Sequence, residues 1–317
     1  MEEPLKKQLT LGGVENSLDR RQKKIIDGIE KVNSSSTQDL FFLSRPFASL
    51  SLPHRVSWSK SVVSAGDGAK VESLIHHVTN GRDSLTVEGS PSFGLPYGTY
   101  PRLFHYYICS EIKRTGKAEI FLNSSLAKFM EELGFTNAST NQRNLFYGQI
   151  IRFLNANYRL EKTNSDGSKT VVMANKIVAS YDIDSVWFER ASAKKPKTTR
   201  IIFNDWFVEE ILNSSVPFNR EAILSLKGSS LAIDLYSWIT WRSHTLNKST
   251  KKRAVIKLAD FEKQLGLSYG RPRDLRRDLE KAYNEVLALY PQAKMVIAAD
   301  SITLHSSSEA ISQKDKP

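Results

Sequence analysis

Between Arg271 and Leu289 the chain spaces arginine, glutamate and asparagine at helical intervals. At 100° per residue, Leu275, Leu279, Ala282, Tyr283, Val286 and Tyr290 share one stripe, and Arg273, Arg276, Arg277, Glu280 and Asn284 lie opposite it. Those are the side chains that can read base edges: arginine reaches guanine bidentately, asparagine reaches adenine, and glutamate accepts from cytosine N4. Pro272 at the first helical position loses nothing by lacking an N–H. The competing reading is a solvated amphipathic helix whose arginines are partly cancelled by Asp274, Asp278 and Glu285. This helix alone leaves both open.

A second polar face lies upstream, on a predicted helix from Ser139 and Thr140 to about Asn157. Tyr147, Ile150, Ile151 and Leu154 point inward, and Asn141, Gln142, Gln149 and Arg152 are placed outward as candidate base contacts. Backbone phosphates would be met by sequence-blind cations. The candidates are Lys248, Lys251, Lys252 and Arg253 in one basic turn, Arg271, the hairpin lysines Lys162 and Lys169, and Lys194, Lys195 and Lys197 in a stretch that reads more readily as a solvated linker.

Catalytic chemistry has no comparable constellation. His76 and His77 are adjacent, so a strand would place them on opposite faces, as surface histidines and not a metal pair. Gly66 to Lys70 is too short for a phosphate loop and reads as a turn. No Cys/His cluster has zinc-ligand spacing, so no metal, cofactor or catalytic residue is expected. Trp238 and Trp241 read as core or interface residues, not stacking platforms.

The elements that must hold these faces repeat. From Lys227 to Leu304 the pattern gives a helix to about Leu246, a strand at 254–258, a short helix at 259–265 stopped by Gly266, the helix at 271–289, and strands at 294–298 and 302–304. Helix, strand, helix, helix, hairpin is the order of a winged helix-turn-helix. The same order occurs from Pro101 to Ala179, with a hairpin at Ser165-Asp166-Gly167, and Ser125–Gly134 parallels Leu258–Gly266. The fold expected is α+β: two tandem winged-helix domains at 91–190 and 200–306, joined by a basic linker at 191–199. A partly ordered N-terminal extension, 1–90, and a disordered tail, 307–317, complete it. Within the extension, Ser17 could cap a helix through Ile29, Asn33 to Gln38 reads as a linker, and Phe41, Phe42, Val56, Trp58, Leu85 and Val87 suggest short strands.

A net charge of +11 points to a polyanionic partner, with nucleic acid the commonest. Cys109 is the sole cysteine, so a disulfide framework is excluded and a reducing cytoplasm fits. The start, Met-Glu-Glu-Pro-Leu-Lys-Lys, lacks a signal-peptide h-region, and no run is long enough to span a bilayer, so no membrane partner is expected.

Gly94-Leu-Pro-Tyr-Gly-Thr-Tyr-Pro-Arg-Leu, the ending Arg114-Thr-Gly, Val216-Pro-Phe-Asn, Leu224, Leu226-Lys227, the run from Ser230 to Arg242, Phe261 to Gly266 and Leu289-Tyr-Pro resemble plasmid-encoded replication initiators of the RepA type. The resemblance covers roughly 94–305. It implies a bacterial protein on plasmid DNA that binds repeated origin sites (iterons) in double-stranded DNA. It also implies origin opening, recruitment of host initiator and helicase proteins, and forms that include a homodimer. A plasmid or phage repressor could carry the same modules, and a nicking enzyme with an unrecognised site is a third reading.

Overall fold

In the computed structural model the described residues are 19–34, 40–55, 60–64, 70–122, 125–164, 166–183, 199–308 and 310. Ser17, Val56, Trp58, most of Asn33–Gln38, the Gly66 turn, the lysines at 194, 195 and 197, and nearly all of the tail lie outside them.

Ile25, Ile29 and Val32 recur at helical spacing and turn one face of α1 (Arg20–Ser34) toward the core. Asp19 starts this helix by accepting the N–H groups of Arg21 and Gln22 on Oδ1. Strand β1 (Leu40–Ser44) runs into α2 (Arg45–Ser49), and β2 (Lys60–Ser64), β3 (Lys70–Thr79) and β4 (Asp83–Gly89) form an antiparallel meander.

The first helix–strand–helix–helix–hairpin series is α3 (Thr99–Thr115), β5 (Glu119–Leu122), α4 (Leu126–Glu132), α5 (Thr140–Asn155), β6 (Asn157–Thr163) and β7 (Lys169–Lys176). Connecting elements are β8 (Val178–Asp182), β9 (Thr199–Phe203), α6 (Asp205–Ser214), β10 (Ser215–Asn219) and α7 (Arg220–Ser225). The second series is α8 (Ser230–Lys248), β11 (Arg253–Lys257), α9 (Leu258–Gln264), α10 (Pro272–Leu289), β12 (Lys294–Ile297) and β13 (Ser301–His305). The mixed architecture is α+β.

The two series close their sheets differently. In the second, the strand between the first helices joins the hairpin, giving the order β11-β13-β12. In the first, β5 pairs with β9, and the hairpin extends the N-terminal meander as β2-β3-β4-β6-β7. Burial supplies the reason: Leu85 faces Leu160 and Val87 faces Tyr158 across β4 and β6, and all four are buried. A boundary at residue 90 is therefore corrected. Sheet pairing crosses it, β1 pairs with β10, and α1 packs on α7 and α10. Residues 40–55 and 74–90 belong to the folded body and are not a partly ordered layer.

One continuous core runs from Ile25 to Leu304. Its centre in the first series is aromatic, with Phe104, Phe129, Phe146, Phe153 and Tyr158 in edge or tilted contacts. In the second, Trp238 meets Phe261 at 4.7 Å between centroids and seats α9 on α8. The adjacent histidines do take opposite faces of β3, but His76 is buried with Nε2 at the Ser51 carbonyl, which corrects its expected surface place, while His77 is exposed beside Thr86.

Candidate nucleic-acid interface

Helix α10 is held by its neighbours on three sides. Gly266 takes φ +61° to end α9, and a Cβ there would strike the His76 ring, so the turn packs directly on β3. Glu262 accepts the Tyr269 backbone N–H, and the Tyr269 hydroxyl donates to Asp278, latching the 265–271 turn to both helices. Burial, followed by that bond to Asp278, pushes the Tyr269 hydroxyl up to about 12. At the far end the Tyr283 hydroxyl donates to the Ala293 carbonyl and accepts from the Met295 N–H. Leu275, Leu279, Ala282, Val286 and Tyr290 are buried, as their stripe predicts.

The opposite face carries Arg273, Arg277, Glu280 and Asn284, all exposed. Arg277 is engaged on its own helix, by Asp274 at 3.0 Å and Asp278 at 3.1 Å, and Arg271 lies 3.7 Å from Asp274. Exposed pairs of this kind contribute about 0–1 kcal/mol, so a phosphate or base edge can displace them. Arg276 is half-buried on the flank, with a buried Nε that makes no hydrogen bond among the described residues. It lies off the exposed polar face of α10.

Lys248, Lys251, Lys252 and Arg253 are exposed, with the Lys252 ammonium donating to the Asn247 carbonyl. The register sets Arg253, His305 and Lys294 in one cross-strand row where α10 feeds the sheet. Ala293 and Met295 bond Tyr283 on either side of Lys294, so the row lies roughly 16 Å along α10 from Pro272, at about 1.5 Å for each residue up to Tyr283. The basic turn and Arg273 therefore serve different stretches of any bound duplex. Lys294 was missed in the sequence because its row exists only across strands.

The first series departs further from expectation. Gln142 is consumed by a capping box: its side chain accepts the Ser139 N–H, and Ser139 accepts the Gln142 N–H. Gln149 is 2% exposed and accepts the Tyr97 N–H. Arg152 donates from Nε to the Phe93 carbonyl at 2.6 Å and lies over the Tyr97 ring. Gln149 and Arg152 are thus corrected from base contacts to the posts that hold the 93–97 loop. Asn141 stays exposed, and near it are the exposed Asn144 and Leu145, the latter 55% exposed. A large exposed aliphatic on the polar face was the overlooked signal.

In the β6–β7 hairpin Lys162 is exposed, Lys169 lies 3.6 Å from Glu161, and the tip closes through the Asn164 N–H to the Ser168 carbonyl. Among the described residues no three His, Cys, Asp or Glu side chains converge as ligands for a metal ion, and no helix is long and apolar enough to cross a membrane.

A family model described as plasmid encoded RepA protein matches residues 95–259. No curated protein matches the chain. Among solved structures, a crystal structure of selenomethionine derivatives of domains 2 and 3 of RctB is 14% identical, covering 83% of this chain and 99% of that one, with a TM-score of 0.46. Another crystal structure of RctB domains 2-3 is 15% identical over 81% of this chain and 95% of that one, with a TM-score of 0.45.

Proposed function

This chain belongs to the plasmid-encoded RepA protein family, and we propose that it initiates plasmid replication by binding repeated sites in double-stranded origin DNA through two tandem winged helices. One observation carries the reading: α10 buries Leu275, Leu279, Ala282, Val286 and Tyr290 of its apolar stripe and turns Arg273, Glu280 and Asn284 outward. Arg273 would read guanine, Glu280 would accept from cytosine, and Asn284 would reach adenine where the helix runs along the groove. From the first unit Asn141 and Asn144 offer amides, and Leu145 offers apolar contact to a thymine methyl. Lys162, Lys169, Lys251, Lys252, Arg253 and Lys294 would neutralise phosphates, in keeping with the net charge of +11.

Opening of the origin and recruitment of host initiator and helicase proteins follow from binding energy, with no catalytic step by this chain. The test is a footprint on the DNA beside the protein's own gene, with supercoiled origin DNA and magnesium in parallel. Several equally spaced protected repeats and local strand opening support initiation. A single protected palindrome would make the protein a repressor, and nicking would make it an enzyme.

A further inference from the structure

Lys227 stands half-buried in the seam between the two units, two residues after α7. Its ammonium lies 5.6 Å from the centroid of the Phe135 ring, in the turn that leads from α4 to α5. Gly134 makes the approach possible. It takes φ +75° after α4, and a Cβ there would come within 2.6 Å of the Lys227 Nζ. From α1, Lys24 and Lys31 act on Lys227 with like charge. They are exposed and seven residues apart, so they lie two turns from each other along one side of that helix. Glu221 of α7 is the acid that acts on Lys227, and it is shared with Arg220 at 3.9 Å.

An ammonium withdrawn from water ordinarily finds a carboxylate or several carbonyls. Here burial, and then repulsion from Lys24 and Lys31, bring Lys227 down to about 8. The aromatic face of Phe135 favours a cation there. Lys227, Lys24, Lys31 and Arg220 outnumber the acids beside them, Glu221 of α7 and Asp27 on the same side of α1, and with the aromatic floor they make a pocket of positive potential that an anion would relieve.

We propose that Lys227, Lys24 and Lys31 form a cradle for a phosphate group of the DNA backbone, placed in the seam between the two third helices. The idea rests on the DNA-binding reading above and adds a contact that belongs to neither third helix nor either hairpin. The position suits it. Phe135 stands five residues before the start of α5, while α1 packs on α10 and ties to it through Arg21 and Glu285 at 2.6 Å. A backbone passing from one third helix to the other would cross this point.

The experiment uses the full chain, with Lys227→Gln and the double variant Lys24→Gln/Lys31→Gln. Lys24 and Lys31 are exposed, so the double variant keeps the wild-type unfolding midpoint and isolates charge from folding. Binding to origin DNA and to a scrambled duplex is titrated against salt. Each lost phosphate contact should flatten the log–log salt slope by about one unit, equally on both duplexes. Wild-type affinity should also fall as pH rises above about 8, because a neutral Lys227 must take up a proton to meet the phosphate. Lys227→Gln should lose that pH dependence. Unchanged slopes, or a loss confined to origin DNA, would overturn the cradle. Competition by inorganic phosphate or pyrophosphate with unaltered DNA slopes would assign it to a free anion and overturn the backbone contact. If wild-type protein bound neither duplex, the DNA-binding reading itself would fail, which is a distinguishable result.

Discussion

Replacing Asp234 with asparagine would test what holds the two units together. Arg102 of α3 donates to both carboxylate oxygens of Asp234 on α8, from Nε at 2.7 Å and Nη2 at 2.6 Å. The side chains are 4% and 12% exposed. The remaining guanidinium N–H groups go to the carbonyls of Leu52, Pro53 and Gly98. Removing one partner of such a buried pair costs about 3–5 kcal/mol, because the other charge stays behind uncompensated. Asparagine keeps one acceptor oxygen, so the lower end, about 3 kcal/mol, is expected. A buried pair can often be replaced by apolar residues without loss. Here Arg102→Met with Asp234→Leu should not recover stability, since three carbonyls lose their donor at about 1–3 kcal/mol each. Urea unfolding followed by tryptophan fluorescence would show Asp234→Asn lowering the midpoint by about 1 M or more at unchanged m. A shift under 1 kcal/mol, or a double variant as stable as wild type, would refute the reasoning.

Burial keeps His54 and His105 down to about 3 and His76 to about 4, so the unfolded chain takes up protons first; stability is full above about pH 6.5 and falls below it by about 1.4 kcal/mol per unit for each histidine. A flat urea midpoint between pH 6.5 and 5 would contradict this. Arg273→Ala should weaken origin binding by about 1–3 kcal/mol more than scrambled-DNA binding, whereas Lys251→Ala with Lys252→Ala should lower both alike, as salt titrations would show. Gly266→Ala should lower the thermal midpoint, since its left-handed backbone is strained for alanine and its Cβ would strike the His76 ring and Val78; an unchanged midpoint would mean the turn can move off β3.

What the sequence made legible was local. Gly266 and Pro272 bracket the turn before α10, and the hydrophobic stripe set the buried face of that helix correctly. The hairpin signal at Asp166-Gly167 located a real turn, with Gly167 at φ +82°. Where that hairpin docks was not legible, because its partner β4 lies some seventy residues upstream and pairs through burial of Leu85 and Val87. Gln149 and Arg152 look like surface residues on a helical wheel, and nothing local says that the 93–97 loop folds over them. His76 shows the same limit: alternation gave its face, while the Ser51 segment and the Gly266 turn decided its burial. Lys227 carries no pattern at all in sequence, since its neighbours come from α1 and the α4–α5 turn.

A flexible tether at 191–199 would let two recognition units find sites at several spacings, and the structure argues against that freedom. Asp234 of α8 meets Arg102 of α3, and His54 joins Ser230 to the Leu265 carbonyl, so the segment at 49–55 is bonded to the first helix of both series and to the turn before α10. Gln264 adds a bond to the Ser49 carbonyl. Rotating one unit against the other would break these buried bonds together, each costing about 1–3 kcal/mol when left unmade. The two third helices are therefore presented at one separation, which raises effective concentration for a matching site and lowers it for every other. On the DNA-binding reading, inserting half a helical turn, about 5 base pairs, between the two halves of a site should reduce affinity to that of one half alone. Inserting a full turn, about 10 base pairs, restores the facing but not the distance, so a rigid pair should gain nothing from it. The assay is competition binding with the three duplexes at constant salt. Recovery with the full-turn insertion would show that the seam opens and that the units are joined by a tether after all.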